Sequence, residues 1–534
     1  MRETGNWIMH KDLVFIINTN QNFIRTAGKD SESFLPVLND FFESVSDVYI
    51  PLLNMLERLE EENIRCRFGL VLAPVLCSLL EKEDIQQMYV EWLGKRIALG
   101  QKQLSSADKS VTNIIEKTIE RNKKLLADFE KKYECNLLKK FSEYHQKGFV
   151  ELLATCGTDI FIPHYADLPE VISAQIETGL QSYRNSFGGF PDGFWLPELG
   201  YMPGIEKIIR AYGYSYTVLD ARSMLLCENL PSKGIFYPAR TENSLALFAN
   251  SPDVEEELLG EDGFASNEVY RNTKRDIGFE LPLEKLNSVI PKGSPRYATG
   301  YRYWNRCFEG ECIYNEEAAL KQADDDAKAF LSKKADLLSK AAELLPDSDY
   351  VVSVCALDAV ELRKNWSEWL VWFENILRHS AEYELLVSEC NELLGKQFSL
   401  EKINPYYSAA GGDGYGESFV SSKNSWMIRY VRKASERMID LADRFPNDTG
   451  LKTRLLNLGA KELLLAQSVS LAKMIENEEF SDFAEKRFKD SIKAFTSVFD
   501  SLGSNTVSTE WLTKIEERDN LFPWMNYRIF SKKK

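Results

Sequence analysis

The sequence predicts an α/β barrel carrying extra helices, and three observations lead there. Short apolar runs recur at 13–17, 67–72, 150–155, 215–220, 244–248 and 350–357 and read as strands, the one at 13–17 being continuous, β-branched and suited to burial on both faces. Segments of helical period separate most of them, and strand alternating with helix means a parallel sheet. Polar residues follow the strands directly, at 18–22, 156–159 and Asp358, which is where barrels keep their sites and which favours a barrel over an open sheet.

Taken in order, 13–17 runs into a polar cluster that includes Asn18 and Asn20, and 33–61 is helical in pattern. Long charged amphipathic segments between about 80 and 147 read as helices on the barrel's outside. Residues 172–186 form a helix, 252–268 a Gly- and Glu-rich loop, and 316–345 a long Ala- and Lys-rich helix. The strand at 350–357 runs straight into Asp358, and helices are expected at 426–445, 451–477 and 483–499. The expected division is therefore a barrel with a helical insertion over 1–310, a helical region with the late strand over 311–415, and a helical part over 416–534.

A chain of 534 residues is longer than one ordinary core needs. A formal charge of −16 argues against nucleic acid and anionic membrane as partners. No apolar run approaches the ~20 residues that span a bilayer. The first residues lack a signal-peptide core, so the cytoplasm is the expected compartment. Nine cysteines are scattered, and Cys307 and Cys312, the closest pair, have no Cys or His cluster beside them. Neither a disulfide framework nor a zinc site is suggested, and His10, His145, His164 and His379 stand too far apart for a histidine metal site. No cofactor or metal is expected.

The stretch around Glu198 is the most informative. Gly189, Pro191, Gly193 and Pro197 keep it out of a helix, and a helical period at 203–212 precedes the strand at 215–220. Glu198 is thus placed at a strand end or loop ahead of a crossover helix. With Phe190, Phe194, Trp195 and Tyr201 around it, the carboxylate is expected to be desolvated and available as nucleophile, acid or base. A helix N-cap acid or a solvated loop acid fits the same local pattern.

Trp195, Leu196, Pro197 and Glu198 resemble the nucleophile motif of glycoside hydrolase family 57. Further motifs follow in that family's order: Tyr270 and Arg271 with Arg275, Asp276, Ile277 and Gly278; the run from Thr299 to Trp304; the run from Glu462 to Ser468; and the run from Arg518 to Pro523 with Tyr527 and Arg528. Within the family the chain is similar to the 1,4-α-glucan branching enzymes, nearly end to end. The resemblance implies a distorted (β/α)7 barrel with a helical insertion and a helical C-terminal domain. It implies a retaining mechanism in which Glu198 is the nucleophile and Asp358 the acid/base, acting on an α-glucan of the glycogen or amylose type. Asn18, Asn20, Asp159, Trp195, Tyr270, Arg271 and Trp366 then become the expected substrate-binding residues, with Tyr270 and Arg271 either a lid over the donor sugar or a loop anchor. Tyr303 and Trp304, and Trp366, Trp369 and Trp372 as one helical stripe, are read as packing.

Several family positions are replaced. The two histidines after the first strand are Asn18 and Asn20, and the family's Thr-His-Gly reads Thr158, Asp159 and Ile160. The Glu two places after the acid/base is Val360, and the His-Trp that follows is Lys364 and Asn365. An arginine is Asn250, a loop glycine is Ser266, a stacking tryptophan is Ala410, and Ser-Asp-Trp reads Val469, Ser470 and Leu471. Each lost substrate hydrogen bond costs roughly 1–3 kcal/mol. Two functions remain open on the sequence: a branching-type transglycosylase or hydrolase with an altered substrate, and a catalytically silent homologue that binds carbohydrate or protein.

Overall fold

The computed structural model describes residues 9–25, 34–307, 312–395, 399–504 and 506–532. Seven parallel strands form the barrel: β1 (His10–Thr19), β2 (Phe68–Leu72), β3 (Val150–Leu153), β4 (Gly193–Phe194), β5 (Tyr216–Asp220), β6 (Ala246–Asn250) and β7 (Tyr350–Asp358). Their order is β3-β2-β1-β7-β6-β5-β4. The ring closes where Ala154 pairs with Phe194, with the Trp195 amide donating to the Ala154 carbonyl at 2.7 Å.

The run at 13–17 shows why a continuous apolar stretch suits this position. Successive side chains of a strand point to opposite faces. Val14 and Ile16 fill the barrel interior with Val71, Leu153, Val218, Phe248 and Val354, while Leu13, Phe15 and Ile17 join the main core outside. The distortion lies between β6 and β7, which pair in register at Asn250 and Val354. There the Asn250 side chain accepts the Ala356 amide at 2.9 Å, doing the work of a ladder bond. Asn250 is thus a sheet residue, at the position where the resemblance implies an arginine.

Outside the ring, α1 (Glu83–Leu104) and α2 (Thr112–Ala127) pack on each other and supply the expected helical insertion. α3 (Pro169–Phe187) follows β3, and α4 (Glu316–Leu344) covers β7. α5 (Ala359–Asn365) starts directly at Asp358, and α6 (Trp369–His379) packs Phe373 edge-on to Phe15 and Phe68. Trp366, Trp369 and Trp372 are all buried, but Trp366 sits in extended backbone between α5 and α6, so the expected single stripe is two elements. The loop expected at 252–268 contains a short helix, Val254–Leu259, whose apolar Val254 and Leu258 face inward.

The last fifth of the chain is mainly helical: α7 (Trp426–Arg444), α8 (Leu451–Ala466), α9 (Val469–Glu476), α10 (Ser481–Ser504) and α11 (Thr509–Arg518). The expected single helix at 451–477 is broken, because Ser468 adopts extended backbone (ψ 120°). Ion pairs of the buried Arg25 tie this region to the barrel, to Asp519 at 2.6 Å and to Asp490 at 2.9 Å, and within the region Arg487 reaches Asp519 at 3.2 Å. Among the described residues no helix is long and apolar enough to cross a membrane.

Candidate active site

A cavity of about 170 Å³ opens at the C-terminal mouth of the barrel, roofed by α9. Asn18, Ala73, Thr155, Trp195, Glu198 and Asp358 line it from the strand ends, and Ser470, Lys473 and Asn477 from the helical side. Asn18 and Asp358 are register partners across β1 and β7, which sets them side by side.

Glu198 lies in a tight turn, Pro197–Leu199, with left-handed backbone at Glu198 (φ 55°) and Leu199 (φ 48°). Such a conformation in a non-glycine residue costs on the order of 1–3 kcal/mol and persists only where neighbours enforce it. Here the Ala410 amide donates to the Glu198 carbonyl at 2.8 Å, and Tyr201 and Ser408 exchange two backbone hydrogen bonds. The turn projects the carboxylate into the cavity.

The expected cage of aromatic rings around Glu198 is not there. Phe190 is exposed, Phe194 packs on Tyr214, and the Tyr201 hydroxyl donates to Glu206 at 2.9 Å. Only Trp195 of the four lines the cavity. What meets the carboxylate is a cation: the Lys473 ammonium donates to both Glu198 oxygens at 2.7 Å. The carboxylates of Glu198, Asp358 and Asp159 together hold the lysine above its ordinary pKa against the opposing effect of burial.

Asp358 caps α5, with one oxygen accepting the Val360 amide at 3.0 Å and the Glu361 amide at 2.9 Å. The residue is exposed at the cavity, with the cavity walls around it. That enclosure raises its carboxyl above the usual range, against the opposing effects of the Glu361 amide and Lys473, and Glu198 adds to the rise. A raised acid beside a second carboxylate is the electrostatic pattern of a proton donor paired with a nucleophile.

Asp159 is positioned by, and positions, the roof. One oxygen accepts the Ser470 amide at 2.9 Å and the Ser470 hydroxyl, and the other accepts the Ser468 hydroxyl. The Val469 amide donates to the Asp159 carbonyl at 2.9 Å. Ser468, the N-cap residue of α9, makes no capping bond of its own, so Asp159 caps the helix from across the cavity. Asn20 donates to the Ser470 hydroxyl at 2.8 Å. Gln175 joins the same seam, donating to Thr158 and Gln467, each at 2.9 Å.

The expected residues therefore divide. Asn18, Asn20, Asp159, Trp195, Glu198 and Asp358 converge on one cavity. Tyr270, Arg271 and Trp366 do not line it. Tyr270 is fully buried, its hydroxyl donating to Asp326 at 2.5 Å and its ring packed on Trp366. The Arg271 guanidinium lies over the Tyr314 ring at 4.0 Å. Of the two roles open to this pair, the anchor fits its place. Asp276 from the neighbouring motif is a hub, accepting from the Gly278, Thr299 and Gly300 amides and the Thr299 hydroxyl, so two of the recognised motifs meet as structure.

Among the replaced positions, Leu471 is buried and Ala410 is a backbone anchor for Glu198. Lys364 is held by Glu479 at 2.8 Å. Lys473 gave no signal in the sequence, because nothing local pairs a lysine with a glutamate 275 residues away. Among the described residues no group of three or more His, Cys, Asp or Glu is placed to hold a metal.

Residues 14–281 match the model of glycosyl hydrolase family 57, and 430–530 match that of the 1,4-alpha-glucan branching enzyme C-terminal region. The chain is 23% identical to a 1,4-alpha-glucan branching enzyme of Thermococcus kodakarensis, over 96% of this chain and 77% of the relative. Among solved structures it is similar to the alpha-amylase AmyC of Thermotoga maritima, with a TM-score of 0.90 at 25% identity, covering 98% of this chain and 100% of that one. It superposes on a branching enzyme of Pyrococcus horikoshii with a TM-score of 0.86 at 21% identity, covering 98% of each. With the sequence motifs, the seven-stranded barrel and the helical C-terminal region in agreement, the chain belongs to glycosyl hydrolase family 57.

Proposed function

We propose that this protein is an α-glucan-acting enzyme of the branching-enzyme type, which cleaves a 1,4-α-glucosidic bond with retention and passes the glucan to a hydroxyl acceptor or to water. The observation that carries this reading is the placement of Glu198 and Asp358 at one cavity, on a strained turn and at a strand end. Glu198 attacks the anomeric carbon while Asp358 protonates the leaving oxygen. Asp358 then takes the proton of the incoming hydroxyl as that oxygen displaces Glu198. The protein packed around the cavity at Asp358 favours the protonated form that the first step needs. Asn18 and Asn20 both donate and accept, so they suit sugar hydroxyls, and Trp195 supplies a ring at the cavity wall.

A second reading, glucan binding without turnover, draws support from Ala410 and Leu471, which offer no stacking face. The test is chain transfer and hydrolysis on amylose and glycogen, read by iodine staining and reducing-end release, with Glu198→Gln as the control. Activity in the native protein that falls at least about 10³-fold in Glu198→Gln supports the enzyme. Equal signals from both, with retained glucan affinity, support the binding reading.

A further inference from the structure

The two-carboxylate reaction leaves one charged group at the site without a role. Lys473 projects from α9, whose start is fixed by Asp159, and it meets Glu198 symmetrically, 2.7 Å from each carboxylate oxygen. It also lies within electrostatic reach of Asp358 and Asp159. The other charged groups lining the cavity are Asp40, Glu361, Lys364 and Glu479. Three of these are engaged elsewhere: Asp40 with Arg363, and Lys364 with Glu479. Glu361 accepts from the Asn365 side chain at 2.7 Å. Lys473 is thus the cation left to answer three carboxylates.

We propose that Lys473 is a positioning residue of this site: its ammonium grips Glu198 by both oxygens in the ligand-free protein and supplies the positive charge that Asp358 faces across the cavity. Two consequences follow from the geometry. Gripped at both oxygens, the carboxylate cannot rotate freely at the end of its left-handed turn, so it is presented in one orientation. The sugar that reaches its anomeric carbon competes with the ammonium for the same oxygens. The charge acts on the acid as well. A cation near Asp358 favours its ionised form, so the lysine limits how far up the pH scale Asp358 keeps the proton it must donate.

This inference rests on the proposed function only for its kinetic arm. The first measurement is a carbon-13 NMR titration of the Asp358 carboxyl in the full chain, assigned with Asp358→Asn, in the native protein, Lys473→Met and Lys473→Gln. Thermal melting first establishes which variant is folded. The expected result is an upward move of the Asp358 midpoint by about one pH unit. The second measurement is the pH profile of kcat/KM on amylose, whose alkaline limb reports the acid of the free enzyme. That limb moves up by the same amount, which leaves up to about tenfold more of the protonated acid above the native midpoint. A midpoint unchanged in the folded variants overturns the proposal, as does an alkaline limb that stays in place. Should the protein turn over no glucan, the titration still decides the role of Lys473, while the failed turnover counts against the enzyme reading alone.

Discussion

At the scale of single residues, the site is built from side chains whose local surroundings contradict their type. Glu198 stands in backbone that favours glycine, and Asp159 caps a helix that belongs to another part of the chain. Where the resemblance implies a histidine and an aspartate, this chain has Asp159 and Ser470, hydrogen-bonded to each other. Glu151 is the corresponding oddity inside the barrel. It is buried, it accepts the Tyr216 hydroxyl at 2.6 Å through one oxygen, and burial pushes its carboxyl up to about 8, with Glu389 and Asp192 adding to the rise against the opposing Tyr216 bond. In the unfolded chain that group titrates near about 4.3. A folded value above the unfolded one means the stabilisation is complete at acid pH and is lost as pH rises through about 8. Thermal melting from pH 5 to 8.5 should therefore show stability falling with pH, and Glu151→Gln should flatten the fall by up to about 1.4 kcal/mol per pH unit.

At the scale of elements, legibility followed length and apolar pattern. The strands around Leu13, Leu70, Leu152, Val218, Leu247 and Val354 were readable because barrel strands are covered on both faces. β4 was not, since two residues, Gly193 and Phe194, give no period to read, and closure there depends on backbone pairing with Ala154 and Trp195. The break between α8 and α9 was hidden for a related reason. The apolar spacing continues through it, and the agent of the break, Asp159, is distant in sequence. Gly179 in α3 shows how closely these elements sit: a Cβ there would lie 1.7 Å from the Thr155 carbonyl oxygen. Thr155 in turn donates to the Trp195 carbonyl at 2.9 Å across the barrel closure. Gly179→Ala should accordingly push α3 off the end of β3 and lower stability by about 1–3 kcal/mol, read as a lower melting temperature with the native helical signal retained at low temperature.

At the scale of the whole molecule, the barrel supplies the carboxylates and the helical region supplies the roof. Asp519, on the C-terminal side, is held by Arg25 from the loop after β1 and by Arg487 from α10, while Lys473 crosses from α9 to Glu198. Glu198 and Asp358 could be placed at strand ends or loops from the apolar and punctuated stretches before them, and their expected roles came from the resemblance to family 57. The way the site is completed was not legible, because it depends on Ser468, Ser470 and Lys473 arriving from a separate helix. The central claim is that Glu198 is the carboxylate that forms the bond to sugar. Its most direct test is mass spectrometry of the protein after incubation with a fluorinated α-glucosyl donor that slows release of a covalent intermediate. One hexosyl adduct on the peptide containing Glu198, absent in Glu198→Gln, is the predicted result. An adduct on another residue, or glucan turnover that persists in Glu198→Gln, would contradict the account.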